Sequence, residues 1–186
     1  MISKKHFDTF TNIEYGFQET PFGKCLLAFV ENNILSLHFI NNTSERESIS
    51  ELQIEWPTSN LHLNSQRTKN LIDAIFENFG NSDNVDTSIN HRNTNVSCVL
   101  HGTEFQKKVW NALTKIPYAT TVTYSDAANM INMPKAVRAV ASCIAKNKIS
   151  LLIPCHRVVR KSGEIGQYRW GVDVKKKIIE WEKQTS

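Results

Sequence analysis

The chain has 186 residues, 40% of them hydrophobic and 22% charged, with a formal net charge of +4. Those values describe one substantial globular core or two small ones packed together, and they exclude an intrinsically disordered chain. No apolar run approaches the roughly 18 residues of a spanning helix, and Met1-Ile2-Ser3-Lys4-Lys5-His6 lacks the apolar stretch of a signal peptide, so a cytoplasmic protein with no membrane partner is expected.

The charge is unevenly placed. Residues 1–100 hold 7 Lys and Arg against 12 Asp and Glu, whereas residues 101–186 hold 15 against 6. A surface that neutralises phosphates has that bias, and so has a solvated basic face without a partner. The cysteines, Cys25, Cys98, Cys143 and Cys155, and the six histidines are dispersed with no short ligand spacing. Reduced thiols, no metal site and no cofactor are therefore expected.

Residues 21–40 read as two apolar strands around a turn at Glu31-Asn32-Asn33. From Thr68 to Phe79 the residues Leu71, Ile72, Ile75, Phe76 and Phe79 recur at helical spacing, and Gly80 follows as a stop. Residues 81–95 are polar and Asn-rich, a linker. After His101-Gly102, Thr103 and Gln106 form a capping box for a helix lined by Phe105, Val109, Ala112, Leu113 and Ile116, ended by Pro117. Ser125-Asp126 can cap a short helix through Ile131, Asn132-Met133 make a turn, and Pro134 suits the first position of a second helix reaching about Asn147. That is helix-turn-helix grammar.

On the second helix Lys135, Arg138, Ser142 and Lys146 form one polar, cationic stripe, opposite Ala136, Val137, Val140, Ala141 and Ile144. The stripe suits a nucleic-acid backbone and equally an ordinary amphipathic surface helix. The apolar run Ile149–Ile153 reads as a short buried strand or extended segment that delivers Pro154-Cys155-His156-Arg157. A turn-rich loop follows from Ser162 to Tyr168, and Asp173 can cap a final helix carrying Val174, Ile178 and Trp181. Glu182, one turn beyond Ile178, can face the interior.

A free thiol ionises near pH ~8.5, and each unit of depression needs roughly 1.4 kcal/mol of preferential stabilisation of the thiolate. His156 and Arg157 are suited to supply it, with an acidic residue to orient the imidazole. A Cys-His pair alone also fits an inert buried cysteine beside a surface histidine.

The segment LLIPCHRVVRKSGEIGQYRWG resembles the signature of the O6-alkylguanine-DNA alkyltransferases, whose hallmark is Pro-Cys-His-Arg-Val. The resemblance extends through FQKKVWNAL, IPYATTVTYSDAA and PKAVRAVASCIAKN and covers roughly residues 103–182; Tyr168-Arg169-Trp170-Gly171 is most similar to the bacterial members. The N-terminal half resembles the family weakly, through TPFGKCLLAF.

The resemblance implies a single-turnover repair protein that extrudes a damaged nucleotide and moves the alkyl group from O6 of guanine onto Cys155, with O4-alkylthymine an open second substrate. It makes His156 the base acting through a bridging water and Glu182 the carboxylate that orients His156. It also makes Asn147 the brace of the cysteine turn, and Tyr124 the tyrosine that crowds the target phosphate and donates a proton to the leaving guanine. Arg138 becomes the finger that enters the base stack, and Ser125, Met133, Lys135 and Lys161 further DNA contacts. The loop from Val158 to Trp170 walls the guanine pocket, with Val158, Tyr168, Arg169 and Trp170 as its pocket residues and Tyr168 and Trp170 contributing bulk. Trp170, where some relatives have glycine, implies a narrower pocket. Ala119 and Asn132 also stand where relatives often have glycine, and Cys143 is expected to be an inert core residue.

The implied fold is α+β: residues 1–95 a small ribonuclease H-like sheet-plus-helix domain with a supporting role, and residues 96–186 a mostly helical domain with the helix-turn-helix and the active-site segment. The implied partner is double-stranded DNA, entered through the minor groove largely independently of sequence, by a monomer that associates with the nucleoid when bound. Some relatives carry a metal-binding regulatory domain; this sequence has no cysteine pattern or room for one. A sequence-specific regulator is disfavoured because Pro134-Lys135-Ala136-Val137 offers little base-reading chemistry. Turnover of an ester or amide at Cys155 would mark a thiol hydrolase, and Cys155 itself argues against a damage binder without transfer activity.

Overall fold

Asn12–Gln18 (β1), Cys25–Val30 (β2) and Asn33–Phe39 (β3) form an antiparallel meander, with a register shift between Ala28 and Phe29. The structure, a computed structural model, describes residues 10–41, 43–79, 90–91 and 96–185. Every residue from Cys25 to Phe29 is buried, because helices cover both faces of the sheet. Alternate side chains point to opposite faces of a strand, and the core divides accordingly. Leu26 and Ala28 join Ile13 and Leu35 under Leu52 and Trp56 on one side, while Cys25, Leu27 and Phe29 pack on the other.

Glu45–Glu55 (α1) begins at Ser44, whose side chain and that of Glu47 form a reciprocal capping box. Asn60–Leu63 (β4) pairs parallel to β1, and Ser65–Asn78 (α2) supplies Leu71, Ile72 and Ile75 to the larger core. Asn90–His91 (β5) and Val96–Cys98 (β6) complete a six-stranded mixed sheet in the order β4-β1-β2-β3-β6-β5, with β6 parallel to β3. Apart from β5, the expected linker at 81–95 lies outside the described residues.

Glu104–Leu113 (α3) starts at the expected Thr103/Gln106 capping box. Val122–Thr123 (β7) leads into Tyr124–Met130 (α4), which is capped by Thr123 with Asp126, two residues before the expected Ser125. The hydroxyl of Thr123 accepts from Asp126 N at 3.1 Å while the Asp126 carboxylate accepts from Thr123 N at 2.8 Å; Ser125 is already inside the first turn. The next helix, Val137–Ala145 (α5), begins three residues after Pro134 and ends two before Asn147. Asn132 adopts φ 59° and Ala136 N bonds to Met133 O at 2.9 Å, so a separate turn occupies 133–136 and Lys135 lies there, off the helix. Val140, Cys143 and Ile144 are buried while Arg138, Ser142 and Lys146 are exposed. Trp110 of α3 donates its indole N–H to Cys143 O at 2.9 Å.

Residues 149–153 are buried but are not a strand. Ile149 makes one parallel bridge to Leu37, after which Leu151 at φ 63° folds the chain into a turn. A 3₁₀ turn, Cys155–Arg157, and Val158–Val159 (β8), parallel to β7, follow. The last helix, Val172–Gln184 (α6), starts from Gly171 at φ 102°; Asp173 sits in its first turn without a capping bond. Six α-helices and a mixed sheet, among the described residues, make the protein α+β. The larger core runs from Phe22, Leu27 and Ile72 through Val109 and Leu113 to Ile178, so both halves of the chain share it. No helix among the described residues is long and apolar enough to cross a membrane.

Gly16 of β1 lies against the wholly buried Thr68 of α2, and a Cβ there would overlap the Thr68 hydroxyl. Gly16→Ala is expected to lower the unfolding free energy by about 1–3 kcal/mol, read as a lower urea midpoint with an unchanged slope.

Candidate active site

The turn at 149–153, the 3₁₀ turn and α6 converge on Cys155. Its side chain is nearly buried, and Asn147 organises the chain around it. The Asn147 Nδ2 donates to Ile149 O at 3.1 Å, Ile153 O at 3.0 Å and Cys155 Sγ at 3.1 Å, while its Oδ1 accepts from Ile149 N at 3.0 Å. One amide thus holds both ends of the loop and touches the sulfur. β3 fastens the same loop to the sheet: Leu37 N donates to Lys148 O at 3.0 Å and Ser150 N to Leu37 O at 2.6 Å.

Behind the sulfur, Glu182 of α6 is 1% exposed and accepts from three residues on two other segments. His156 Nε2 lies 2.8 Å from its Oε1, Arg157 Nη2 donates to the same oxygen at 2.8 Å and Nε to Oε2 at 3.0 Å, and Ala119 N donates to Oε2 at 3.2 Å. Arg157 also donates to Ile116 O at 2.7 Å and stacks over Tyr118 at 5.4 Å. Ala119 reaches the carboxylate from φ 55° and Asn132 sits at φ 59°, left-handed conformations that explain why glycine suits both positions.

Burial pushes the Glu182 carboxyl up, but the hydrogen bonds and charges of His156 and Arg157 outweigh it and hold it below the ordinary carboxylate value of 4.5. Burial also depresses His156, against the pull of Glu182. A neutral imidazole facing an ionised carboxylate through Nε2 carries its proton on Nε2. Its basic atom is then Nδ1, which is buried and has no hydrogen-bond partner among the described residues.

The thiol itself is raised rather than depressed. Burial dominates, and the Asn147 hydrogen bond, the Lys175 charge and the Tyr168 hydroxyl only partly oppose it. Arg157, expected to stabilise a thiolate, is instead committed to Glu182. At neutral pH Cys155 is therefore a thiol rather than a thiolate.

A cavity of about 280 Å³ opens on Cys155, lined by Tyr124, Ala141, Ile144, Ala145, Asn147, Gln167, Tyr168, Arg169 and Trp170. It is at the small end of ligand pockets, which start near ~300 Å³, and suits a single flat heterocycle. Tyr168 bonds to Ser150 Oγ at 2.8 Å and packs edge-on to Trp170, which packs edge-on to Phe39. Among the described residues no group of three His, Cys, Asp or Glu could hold a metal ion.

The structure thus brings Cys155, His156, Glu182 and Asn147 together and puts Tyr124, Tyr168, Arg169 and Trp170 on the cavity wall. Val158 is buried beside the site and accepts Lys175 Nζ at 2.6 Å through its carbonyl. Arg138, Ser125, Met133, Lys135 and Lys161 lie outside, all exposed. Arg138 precedes Ala141 by three positions and Ala145 by seven on α5, the face that lines the cavity. Of the remaining cysteines, Cys25 and Cys98 are pushed up to about 12 by burial.

Two polar site residues escaped the sequence reading, Lys175 and Ser150. Lys175, 1% exposed with a pKa lowered to about 8 chiefly by burial, lies hidden in a run of three lysines. It shares a helical face with Ile178, Ile179 and Glu182, which is a usable signal. Ser150 has none. Gln167, in the cavity lining, falls within the Val158–Trp170 loop expected there.

Residues 104–184 match the family profile described as 6-O-methylguanine DNA methyltransferase, DNA binding domain. The "Bifunctional transcriptional activator/DNA repair enzyme Ada" of Escherichia coli is 38% identical over 174 residues, 92% of this chain and 46% of that protein. The chain thus spans about half the length of the first curated relatives it matches. The methylated-DNA--protein-cysteine methyltransferase of Methanosarcina barkeri is 32% identical over 169 residues, 91% of this chain and 96% of that protein. Among solved structures, Mycobacterium tuberculosis OGT in complex with DNA superposes with a TM-score of 0.72 at 28% identity, covering 93% of this chain and 94% of that one.

Glu182→Gln strands the buried Arg157 charge and is expected to cost about 3–5 kcal/mol at neutral pH. Because the folded carboxyl sits below its ordinary value, its contribution is present above pH 4.5 and is lost as pH falls through the folded value. Acid unfolding curves should therefore converge for the two proteins at low pH; a constant gap would show that Glu182 is not ionised in the fold.

Proposed function

The chain belongs to the 6-O-methylguanine DNA methyltransferase family, and on that premise we propose that it repairs DNA by moving the alkyl group of O6-alkylguanine onto Cys155, once per molecule. The observation that carries this reading is the Cys155 sulfur in the lining of a base-sized cavity, beside a neutral imidazole whose Nε2 is committed to Glu182.

The lesion oxygen is inaccessible inside a duplex, so the nucleotide is first extruded into the cavity. His156 Nδ1 takes the thiol proton through an intervening water as Sγ attacks the alkyl carbon. The carbon–oxygen bond breaks, its electron pair stays with guanine, and the base acquires a proton from Tyr124 as it leaves. Glu182 stabilises the imidazolium that forms. The thioether has no good leaving group, so the thiol is not regenerated. Asn147 keeps the sulfur aimed, Tyr168, Arg169 and Trp170 bound the base, and Val158 lies behind the wall rather than on it.

DNA is the proposed partner, bound through its minor groove by a helix-turn-helix formed from α4 and α5. The turn at 131–136 and the exposed small residues Ala139, Ser142 and Ala145 support close backbone approach. Arg138 would fill the gap left in the stack, while Ser125, Met133, Lys135 and Lys161 contact the strands. Within this reading residues 96–186 do the chemistry as a monomer and residues 1–95 support them. A ribonuclease H-like description of the latter is supported by the β1-β2-β3 meander, extended by the parallel strand β4 and covered on both faces.

Incubation with a duplex oligonucleotide carrying O6-methylguanine should add one methyl group to Cys155, about one per molecule, in the intact-protein mass, and none to Cys155→Ala. Loss of the lesion with an unmodified sulfur would refute the mechanism. Arg138→Ala should slow repair in duplex at least about tenfold, the order of one lost intercalating contact, yet leave transfer from free O6-methylguanine base nearly unchanged. Equal losses on both would remove Arg138 from extrusion.

A further inference from the structure

Two carboxylates of α1, Glu51 and Glu55, stand one helical turn apart, and each meets a cation from the second half of the chain. Glu55, about a tenth exposed, accepts from Lys148 Nζ at 2.8 Å, with His101 Nδ1 3.7 Å from its other oxygen. Glu51 Oε2 receives Arg169 Nη2 at 3.1 Å. Lys148 follows Asn147, which lines the cavity beside Cys155, whereas Arg169 lines it between Tyr168 and Trp170.

The two walls differ in how they are held. On one side only Asn147 lines the cavity, and the segment that follows it is sewn to β3 through Leu37 and by Ser36 Oγ, which donates to Lys148 O at 3.3 Å. The Gln167–Trp170 wall has no regular secondary structure. Among the described residues its side-chain ties include the Tyr168–Ser150 bond, the contacts of Tyr168 with Cys155 and Lys175, the packing of Trp170, and the Arg169–Glu51 pair. His38 stands within electrostatic range of Glu51, Arg169 and Lys148, but burial pushes its pKa down to about 4, so it adds no competing charge.

We propose that α1 is a strut across the cavity, anchored by Glu55 on Lys148 and gripping Arg169 through Glu51, and that this grip limits the size of the alkyl group the pocket admits. The inference rests on the alkyl-transfer reading and deepens it: Glu51 becomes a specificity-determining residue contributed by the half of the chain that holds no reacting group. A partly exposed ion pair adds little to global stability. On an irregular segment the same small bias shifts the population between a closed and a wider aperture. Selectivity, rather than stability, is where its loss should register.

The test measures Cys155 alkylation rates with duplex oligonucleotides carrying O6-methylguanine or O6-benzylguanine, for the full chain, Glu51→Gln, Arg169→Gln and the double variant, with the Tm of each. Glu51→Gln should keep its methyl rate and Tm while its benzyl-to-methyl ratio rises about three- to fivefold, the scale of one exposed ion pair. The double variant should show no larger change than Arg169→Gln alone, since both substitutions break one interaction. An unchanged ratio in Glu51→Gln, additive changes in the double variant, or a ratio that moves only with a collapse of Tm would overturn the strut. If the unaltered protein takes up neither group, the alkyl-transfer reading fails and the strut with it; methyl uptake with a ratio indifferent to Glu51 sinks the strut alone.

Discussion

A single carboxylate, that of Glu182, ties together the parts of the protein that must not move relative to one another. It receives hydrogen bonds from the imidazole of His156, the guanidinium of Arg157 and the backbone of Ala119. Through them α6, the 3₁₀ turn and the loop after α3 share one buried anion. Burying a carboxylate is costly unless its lone pairs are filled, and here Arg157 balances the charge so that His156 can stay neutral. Had the imidazole been the only partner, it would have been drawn toward the protonated form. In the proposed reaction the arginine therefore matters, by keeping His156 neutral, without approaching the sulfur.

The same economy explains a thiol that is harder, not easier, to ionise. Many reactive cysteines are held as thiolates by a nearby cation. Cys155 is shielded from water, and its favourable neighbours, the Asn147 amide, the Lys175 charge and the Tyr168 hydroxyl, offset burial only in part. A dry, protonated sulfur is poorly suited to indiscriminate capture of small electrophiles and fits the proposed single event in which base, carbon and leaving group are aligned together. Lys175 fits this arrangement: buried, bonded to the Val158 carbonyl and lying over the Tyr168 ring, it biases the site without a direct ion pair.

The halves of the chain are interdependent. Strand β3 supplies the backbone bonds that hold the loop before Cys155, Phe22 and Phe39 reach the aromatic side chains of Trp181 and Trp170, and α1 meets Lys148 and Arg169. The sheet is thus a template for the geometry of the cavity, a role for the first half that the proposed reaction, with its reacting groups all in the second half, leaves it.

Local grammar was legible in the sequence wherever the deciding contacts lie within a few residues. The Thr103/Gln106 box, the strand pair around residue 32, the helix over 68–79 and the inward placement of Glu182 one turn past Ile178 all follow from short-range periodicity, and the Pro-Cys-His-Arg segment stands out by its own residues. Boundaries went astray where a neighbouring backbone conformation competed. Thr123 took the cap from Ser125, the left-handed Asn132 displaced the start of α5 past Pro134, and the left-handed Leu151 turned an apolar run into a loop. What tertiary structure alone decided was pairing across long separations: Arg157 with Glu182 rather than with the thiol, Lys175 with Val158, Ser150 with Tyr168, Glu51 with Arg169. Composition and periodicity specify which face of an element is buried, but the partner of a charged or polar group depends on which distant segment packing brings within about 3 Å, and no local pattern encodes that.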